Sequence, residues 1–266
     1  MQPSPSHFPT PHAEVNRVLA TLLPGLRDVL GPELVGVYLS GSLAAGDFDR
    51  ASDVDVVVVT EAEVSDAHFS ALDALHQRVA EIDAWTATEL ECTYISRAAL
   101  RRFDPGCAVH ANLDRGPGER LKRMRYDAGW VVHLHLLRTR GIVLAGPPPE
   151  TLIDSVSPDD LRQAMRDVLA GWAAELVRDP AEVRSASGYQ SYVVLSLCRI
   201  RYTLRHGAVV SKRRAAEWAM DAFDPRWRPL IERALADRQL SRRTPDPQAV
   251  EATLAFLQES LEAAGV

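Results

Sequence analysis

Gly41-Ser42, about ten residues of connecting chain, then Asp53-Val54-Asp55 running straight into Val56-Val57-Val58-Val59: fold and chemistry can both be read from this stretch. Side chains alternate along a strand, so Asp53 and Asp55 point to one face and Val54 to the other. Cα atoms two apart on a strand lie roughly 7 Å from each other, close enough for both carboxylates to hold one or two divalent ions. Asp-x-Asp at a strand start is often a solvated edge, and Gly-Ser is often an ordinary turn. Here the acids open a strand of four valines, at the edge of a buried sheet, where unpaired carboxylates are costly and a metal or basic partner is expected. Upstream, Leu34-Val35-Gly36-Val37-Tyr38-Leu39-Ser40 reads as a buried strand ending at Gly41-Ser42. Glycine there lets backbone N–H groups approach phosphate oxygens, and the serine hydroxyl adds a donor. A phosphate cradle beside paired carboxylates suits metal-assisted chemistry on a nucleotide.

Other phosphate-handling motifs do not fit. No G-x-x-x-x-G-K-[ST] occurs, which argues against a P-loop, and a Walker-B acid follows its apolar run whereas these acids precede theirs. Asp47-Phe48-Asp49 lacks the Gly and terminal Glu of a calcium loop and reads as surface and turn residues.

Working outward, Val15, Val18, Leu19, Leu22, Leu26 and Val29 recur at helical spacing, with Pro24 expected to break or kink the helix. Phe69, Leu72, Leu75, Val79 and Ile82 mark a second amphipathic helix. Glu89 to Ser96 alternates as a third strand, with Glu91 and Thr93 on one face. Arg123 to Tyr126 reads as a short strand, Trp130 to Thr139 as a helix, and Ile142 to Leu144 as a closing strand. After Gly146-Pro147-Pro148-Pro149 the period is helical throughout. Ser157 as N-cap and Pro158 at the first position open a helix to about Arg178. Further helices are expected at 188–206, 211–222, 226–238 and 247–264. An α/β half of mixed sheet with flanking helices, residues 12–148, thus precedes an all-helical C-terminal domain, residues 155–266, and residues 1–11 form a proline-rich, disordered lead-in.

With 46% apolar and 25% charged residues, the 266-residue chain has the composition of an ordinary globular protein rather than a disordered or fibrous one. No apolar run reaches the roughly 18 residues of a membrane span, and the N-terminus lacks a basic and apolar leader, so a cytoplasmic location is expected. Cys92, Cys107 and Cys198 have no zinc-site or disulfide spacing. Net charge is −6, yet Arg199, Arg201, Arg205, Lys212, Arg213 and Arg214 crowd together. A local basic cluster on an acidic chain fits a small polyanion such as a triphosphate better than a nucleic-acid groove.

Gly-Ser, the connecting loop and Asp-x-Asp resemble the signature of the polymerase-β-like nucleotidyltransferase superfamily, and Glu91-Cys92-Thr93-Tyr94 resembles its third acidic strand. Gly141–Pro147, Leu195–Tyr202 and Ser211-Lys212 followed by Ala215–Met220 are similar to segments of the aminoglycoside (3'')(9)-adenylyltransferases, the streptomycin/spectinomycin-modifying enzymes. The resemblance spans roughly residues 12–262. It implies transfer of AMP from ATP to the hydroxyl of a small molecule, an aminoglycoside or aminocyclitol, bound with ATP in the cleft between the domains of a monomer. It also assigns roles. Asp53 and Asp55 hold Mg²⁺; Glu91 joins them and takes the acceptor proton; Gly41 and Ser42 bind phosphates; Arg199 and Lys212 bind the triphosphate.

Geometry argues against a metal at His133-x-His135, since i and i+2 diverge on a helix. His110 is a candidate for the acceptor pocket, as are the aromatics Trp130, Trp172, Tyr189 and Tyr192, although helical spacing also suits these four to core packing. One departure bears on the acceptor: an ungapped alignment sets Tyr189 where the resembled family carries an Asp. Seven basic residues between Arg101 and Arg125, against Asp104, Asp114 and Glu119, also make a pocket short of acids. Adenylylation of a protein hydroxyl, as in toxin neutralisation, and an inert nucleotide-binding regulator are the alternatives.

Overall fold

The valine strand sits at the middle of the first half of the chain because it is apolar on both faces over most of its length. The computed structural model describes residues 9–237 and 246–265. Its first unit ends at Ser155 and its second begins at Val156. In the first unit, helix α1 (Ala13–Leu30) is followed by β1 (Leu34–Leu39), a short helix α2 (Gly41–Ala45) and β2 (Val54–Thr60). Then come α3 (Asp66–Ala80), β3 (Leu90–Ser96), α4 (Arg97–Leu100), β4 (Val109–Leu113), β5 (Lys122–Arg125), α5 (Trp130–Arg140) and β6 (Ile142–Ala145). They make a mixed six-stranded sheet of order β5-β4-β3-β2-β1-β6. Only β2 and β3 run parallel, and α3 supplies the crossover that a parallel pair requires.

Alternation on β2 divides the core. Val54, Val56 and Val58 pack with Val15, Leu19, Leu22, Leu72 and Leu75 of α1 and α3. Val57 and Val59 pack with Trp130, Leu134 and Leu137 of α5. Each fully buried valine contributes about 1.5 kcal/mol or more. Helix α1 runs unbroken through Pro24. Pro24 and Ala20, whose carbonyl loses its intrahelical partner, both lie on the exposed side, where water replaces the missing N–H.

Three features differ from the expectation. The segment after Gly41 is helical for one turn, too short to show a period in the sequence. The Pro/Gly-rich stretch 104–118, for which the sequence suggests no element, contains β4, which pairs with both β3 and β5. Thr10 is ordered and buried: its N–H donates to Asn16 Oδ1 at 3.1 Å and its carbonyl accepts from Asn16 Nδ2 at 2.7 Å. Residues 1–8 of the expected lead-in, and residue 238 of an expected helix, lie outside the described residues.

The second unit is helical: α6 (Pro158–Val168), α7 (Ala174–Arg178), α8 (Ala181–Ser185), α9 (Ser187–His206), α10 (Lys212–Ala222), α11 (Arg228–Asp237) and α12 (Pro247–Ala264). Ser157 caps α6 as its sequence predicts, accepting from Asp160 N at 3.1 Å while Asp160 Oδ2 accepts from Ser157 N at 2.9 Å. The helix expected to reach Arg178 is interrupted by a wide π turn, Leu169–Ala173. Helix α9 is the axis of this unit: Val193, Val194, Leu195, Leu197 and Cys198 are fully buried, as befits a helix with neighbours on several sides. Gly207, at φ +62°, ends it in the left-handed conformation. Among the described residues no helix is long and apolar enough to cross a membrane.

Candidate functional site

The acid face is set by strand register. Asp55 on β2 stands directly beside Glu91 on parallel β3, and Asp53, two residues before Asp55, shares their face. Carboxylate oxygens of Asp53, Asp55 and Glu91 lie within 4.8 Å of one another, all three residues half-buried. Like charges this close repel by about 1 kcal/mol per pair even in water-like surroundings, and by more where water is excluded. A cation among them would offset that repulsion. An all-oxygen set of carboxylates suits a hard divalent ion such as Mg²⁺. The donor set fits.

Gly41 lies against this cluster. It adopts φ +58°, and a Cβ built there would stand 1.7 Å from Asp55 Oδ2. The neighbouring Ser40 N–H donates to the Asp55 carbonyl at 3.0 Å. Glycine is thus required twice, by its backbone conformation and by the carboxylate resting on it. Ser42 Oγ is buried and has no hydrogen-bond partner among the described residues. A turn at Asp49 precedes Asp53. Asp49 Oδ1 accepts from Ala51 N at 2.9 Å and from Ser52 Oγ at 3.0 Å, and Ser52 is buried. Asp49 is a turn former, as expected from the sequence.

Beyond Glu91 the same face stays polar across β4 and β5. Thr93 stands beside Asn112, and Asn112 beside Lys122. Thr93 Oγ1, Asn112 Oδ1 and Tyr126 Oη form a triangle with sides of 2.9, 2.7 and 2.6 Å. Asn112 Nδ2 donates to Asp114 Oδ1 at 2.6 Å, and Asp114 pairs with Lys122. The hydrogen bond to Asp114 holds the Lys122 ammonium above its ordinary range, with smaller contributions from Asp114, Glu119 and Glu91 charge. His110 is buried on this face, with Nδ1 3.6 Å from Glu63 Oε2. Burial pulls its imidazole below the usual histidine range.

Several basic residues of this region are paired with acids. Arg101 pairs with Asp154 at 3.1 Å and Arg123 with Asp66 at 2.9 Å, while Arg120 pairs with Asp73. Those partners are remote in sequence, which is why the local count looked short of acids. Arg115 was not singled out in the sequence either. Its Nη1 stands 3.9 Å from Asp53 Oδ2 and 3.7 Å from Glu89 Oε2.

Of the second-unit candidates, Arg199 lies on α9 and Lys212 opens α10; both are half-buried, and Lys212 Nζ lies 4.7 Å from the centre of the Tyr192 ring. Arg201 is occupied otherwise, 3.4 Å from Glu259 and over Phe223 at 3.8 Å. Arg205, Arg213 and Arg214 are exposed. Tyr192 is 46% exposed, so core packing does not account for it. Trp172 and Tyr189 approach its ring at 5.9 and 5.7 Å. Trp130, by contrast, is a core residue, and His133 stacks on it at 5.2 Å.

Known proteins share both halves. Residues 22–104 match the nucleotidyltransferase domain family, and residues 151–260 match the aminoglycoside adenylyltransferase C-terminal domain family. A spectinomycin 9-adenylyltransferase of Staphylococcus aureus is 28% identical over 207 residues, 73% of this chain and 74% of that protein. An aminoglycoside (3'') (9) adenylyltransferase of Shigella flexneri is 26% identical over 229 residues, 82% of this chain and 83% of its own. The solved structure of spectinomycin adenyltransferase from Enterococcus faecialis with ATP and spectinomycin superposes with a TM-score of 0.73 at 18% identity, covering 94% of this chain and 98% of that one. At that identity the likeness is one of fold. With an acid triad on its sheet, the chain is a nucleotidyltransferase that joins the nucleotidyltransferase domain to the aminoglycoside adenylyltransferase C-terminal domain.

Proposed function

We propose that the chain transfers AMP from ATP, with Mg²⁺, to a hydroxyl of an aminocyclitol-type small molecule, with spectinomycin and streptomycin the acceptors to test first. The observation that carries this reading is the convergence of Asp53, Asp55 and Glu91 within 4.8 Å, where Asp55 rests on Gly41. Asp53, Asp55 and Glu91 are the residues to hold Mg²⁺, which supplies positive charge against the triphosphate and eases loss of the acceptor proton. We also assign Glu91 the role of base. The acceptor oxygen forms a bond to the α-phosphorus, the bond from that phosphorus to the bridging oxygen breaks, pyrophosphate leaves with the electron pair, and the proton passes to Glu91.

Gly41 N–H and Ser42 Oγ are assigned to phosphate oxygens; a buried hydroxyl lacking a partner is a donor ready for one. We also assign Arg199 and Lys212 to phosphate binding, where guanidinium and ammonium offset the charge that grows on pyrophosphate. We assign the protein to the cytoplasm, where ATP and Mg²⁺ are plentiful.

The test is incubation of purified protein with α-labelled ATP and Mg²⁺ beside spectinomycin, streptomycin, a metabolite extract and cell protein, each with an Asp53→Asn control. Label on an aminocyclitol that vanishes in the control supports the proposal. Label confined to polypeptide turns the acceptor into a protein hydroxyl, and nucleotide binding without turnover in every arm overturns transfer altogether.

A further inference from the structure

The turn between β4 and β5 carries a cation to the acid triad. Gly116 donates its N–H to Thr88 O at 2.7 Å, fastening the turn to the segment that leads into β3. Arg115, the residue before, is thereby held with Nη1 3.7 Å from Glu89 Oε2 and 3.9 Å from Asp53 Oδ2. Both distances exceed a hydrogen bond, and the side chain is 47% exposed. The contact is thus one of charge with charge, and it can be broken without opening the core. A divalent ion entering among Asp53, Asp55 and Glu91 must share Asp53 with this guanidinium or displace it.

We propose that Arg115 is a positioning residue: a removable countercharge that steadies the triad without metal, weakens its hold on a free divalent cation, and couples metal entry to the nucleotide. The inference rests on the metal-site reading given under Proposed function. Its physics is that of two competing cations. Arg115 cancels part of the carboxylate field that draws the metal and repels the metal directly, and both effects fall off with distance and with salt. A bound triphosphate reverses the balance, because it brings several negative charges that can serve metal and guanidinium together. Metal alone meets a site already partly neutralised, and metal arriving with triphosphate does not. Shape has no part in the competition, so lysine at position 115 should perform it as arginine does.

The test uses Mn²⁺ as the probe, titrated into the full chain at low salt and followed by the paramagnetic resonance of free Mn²⁺, with and without a non-hydrolysable ATP analogue. Arg115→Ala is expected to bind Mn²⁺ about tenfold more tightly than the parent without nucleotide. Arg115→Lys should stay within about twofold of the parent, and the analogue should narrow the gap between parent and alanine variant. Equal or weaker Mn²⁺ binding by Arg115→Ala in the absence of nucleotide overturns the inference. Should that result come while Asp53→Asn loses Mn²⁺, only the role of Arg115 falls. If Asp53→Asn binds Mn²⁺ as well as the parent does with the analogue present, the metal reading falls and takes this inference with it.

Discussion

On one face of the β2–β3 pair, Val54, Val56 and Val58 stand beside Cys92 and Tyr94 under α1 and α3, all buried. On the other, one residue out of phase, Asp53 and Asp55 stand with Glu91, and the apolar packing on α5 begins only at Val57. Both faces contain polar groups and treat them oppositely. The covered face carries the imidazole of His76 of α3, 2% exposed, which it keeps neutral by burial and holds at 2.7 Å from Tyr94 Oη. The acid face gathers three carboxylates and leaves each half open to water. Burial without a countercharge selects the neutral form of a group, whereas partial exposure leaves a charge in place for a ligand to neutralise.

The comparison predicts that charge on the acid face matters for reaction and charge on the covered face for stability. The largest effect is expected from Asp53→Asn or Asp55→Asn. Labelled transfer should fall by about a thousandfold or more, while urea unfolding at pH 7 stays within about 1 kcal/mol because carboxylate repulsion is relieved. A variant that keeps its transfer rate would remove the acid face from the chemistry. Next comes the covered face. Burial holds His76 at about 4 against an ordinary 6.5. Between those values the unfolded chain binds a proton that the folded chain does not, so stability falls as pH drops from 6.5 toward 4. The loss is about 3 kcal/mol by pH 4. Urea unfolding at pH 7 and 4.5 should show it in the parent and a smaller difference in His76→Gln.

Gly41→Ala probes the boundary between the two behaviours. Its Cβ enters the space of Asp55 Oδ2, and its φ of +58° disfavours any side chain. We expect about 1–2 kcal/mol of destabilisation from the backbone. Displacement of Asp55 should cost about a hundredfold in transfer rate. The measurement is kcat beside the unfolding midpoint; loss of stability alone would mean that Asp55 tolerates the shift.

What could be read in the sequence follows from the range over which each feature is encoded. The parity that puts Asp53 and Asp55 on one face is a property of three consecutive residues, and the four valines show burial without any partner being known. Ser157-Pro158 likewise states its own cap. Strand β4 escaped notice because its five residues are a short run between the Gly/Pro clusters at 105–106 and 116–118, where the alternation of Val109, Ala111 and Leu113 with the polar His110 and Asn112 marks a strand only weakly. Their partners, Glu63 and Thr93, come from other elements. Arg115 was lost among the seven basic residues of its stretch because Asp53 lies 62 positions away in the chain, and β3–β4 pairing with the Gly116–Thr88 hydrogen bond brings the turn to it. Local periodicity gives the faces of the sheet, and pairing between strands decides which polar groups meet there.

Tyr126→Phe is the smallest and most discriminating change, because it alters the polar extension of the acid face without touching a carboxylate. The triangle of Thr93 Oγ1, Asn112 Oδ1 and Tyr126 Oη has two hydroxyl hydrogens for three contacts, so removing one hydroxyl leaves the Thr93–Asn112 hydrogen bond at 2.9 Å intact. The cost should be about 1 kcal/mol of stability rather than the larger penalty of an orphaned group. Thr93 is two residues along β3 from Glu91, on the same face, so a small shift there reaches the proposed base only through the strand. We expect kcat within about threefold of the parent and an unchanged KM for ATP. A tenfold rise in acceptor KM at unchanged stability would instead make this triangle part of the acceptor pocket, and the acid face would then extend as a binding surface from β2 to β5.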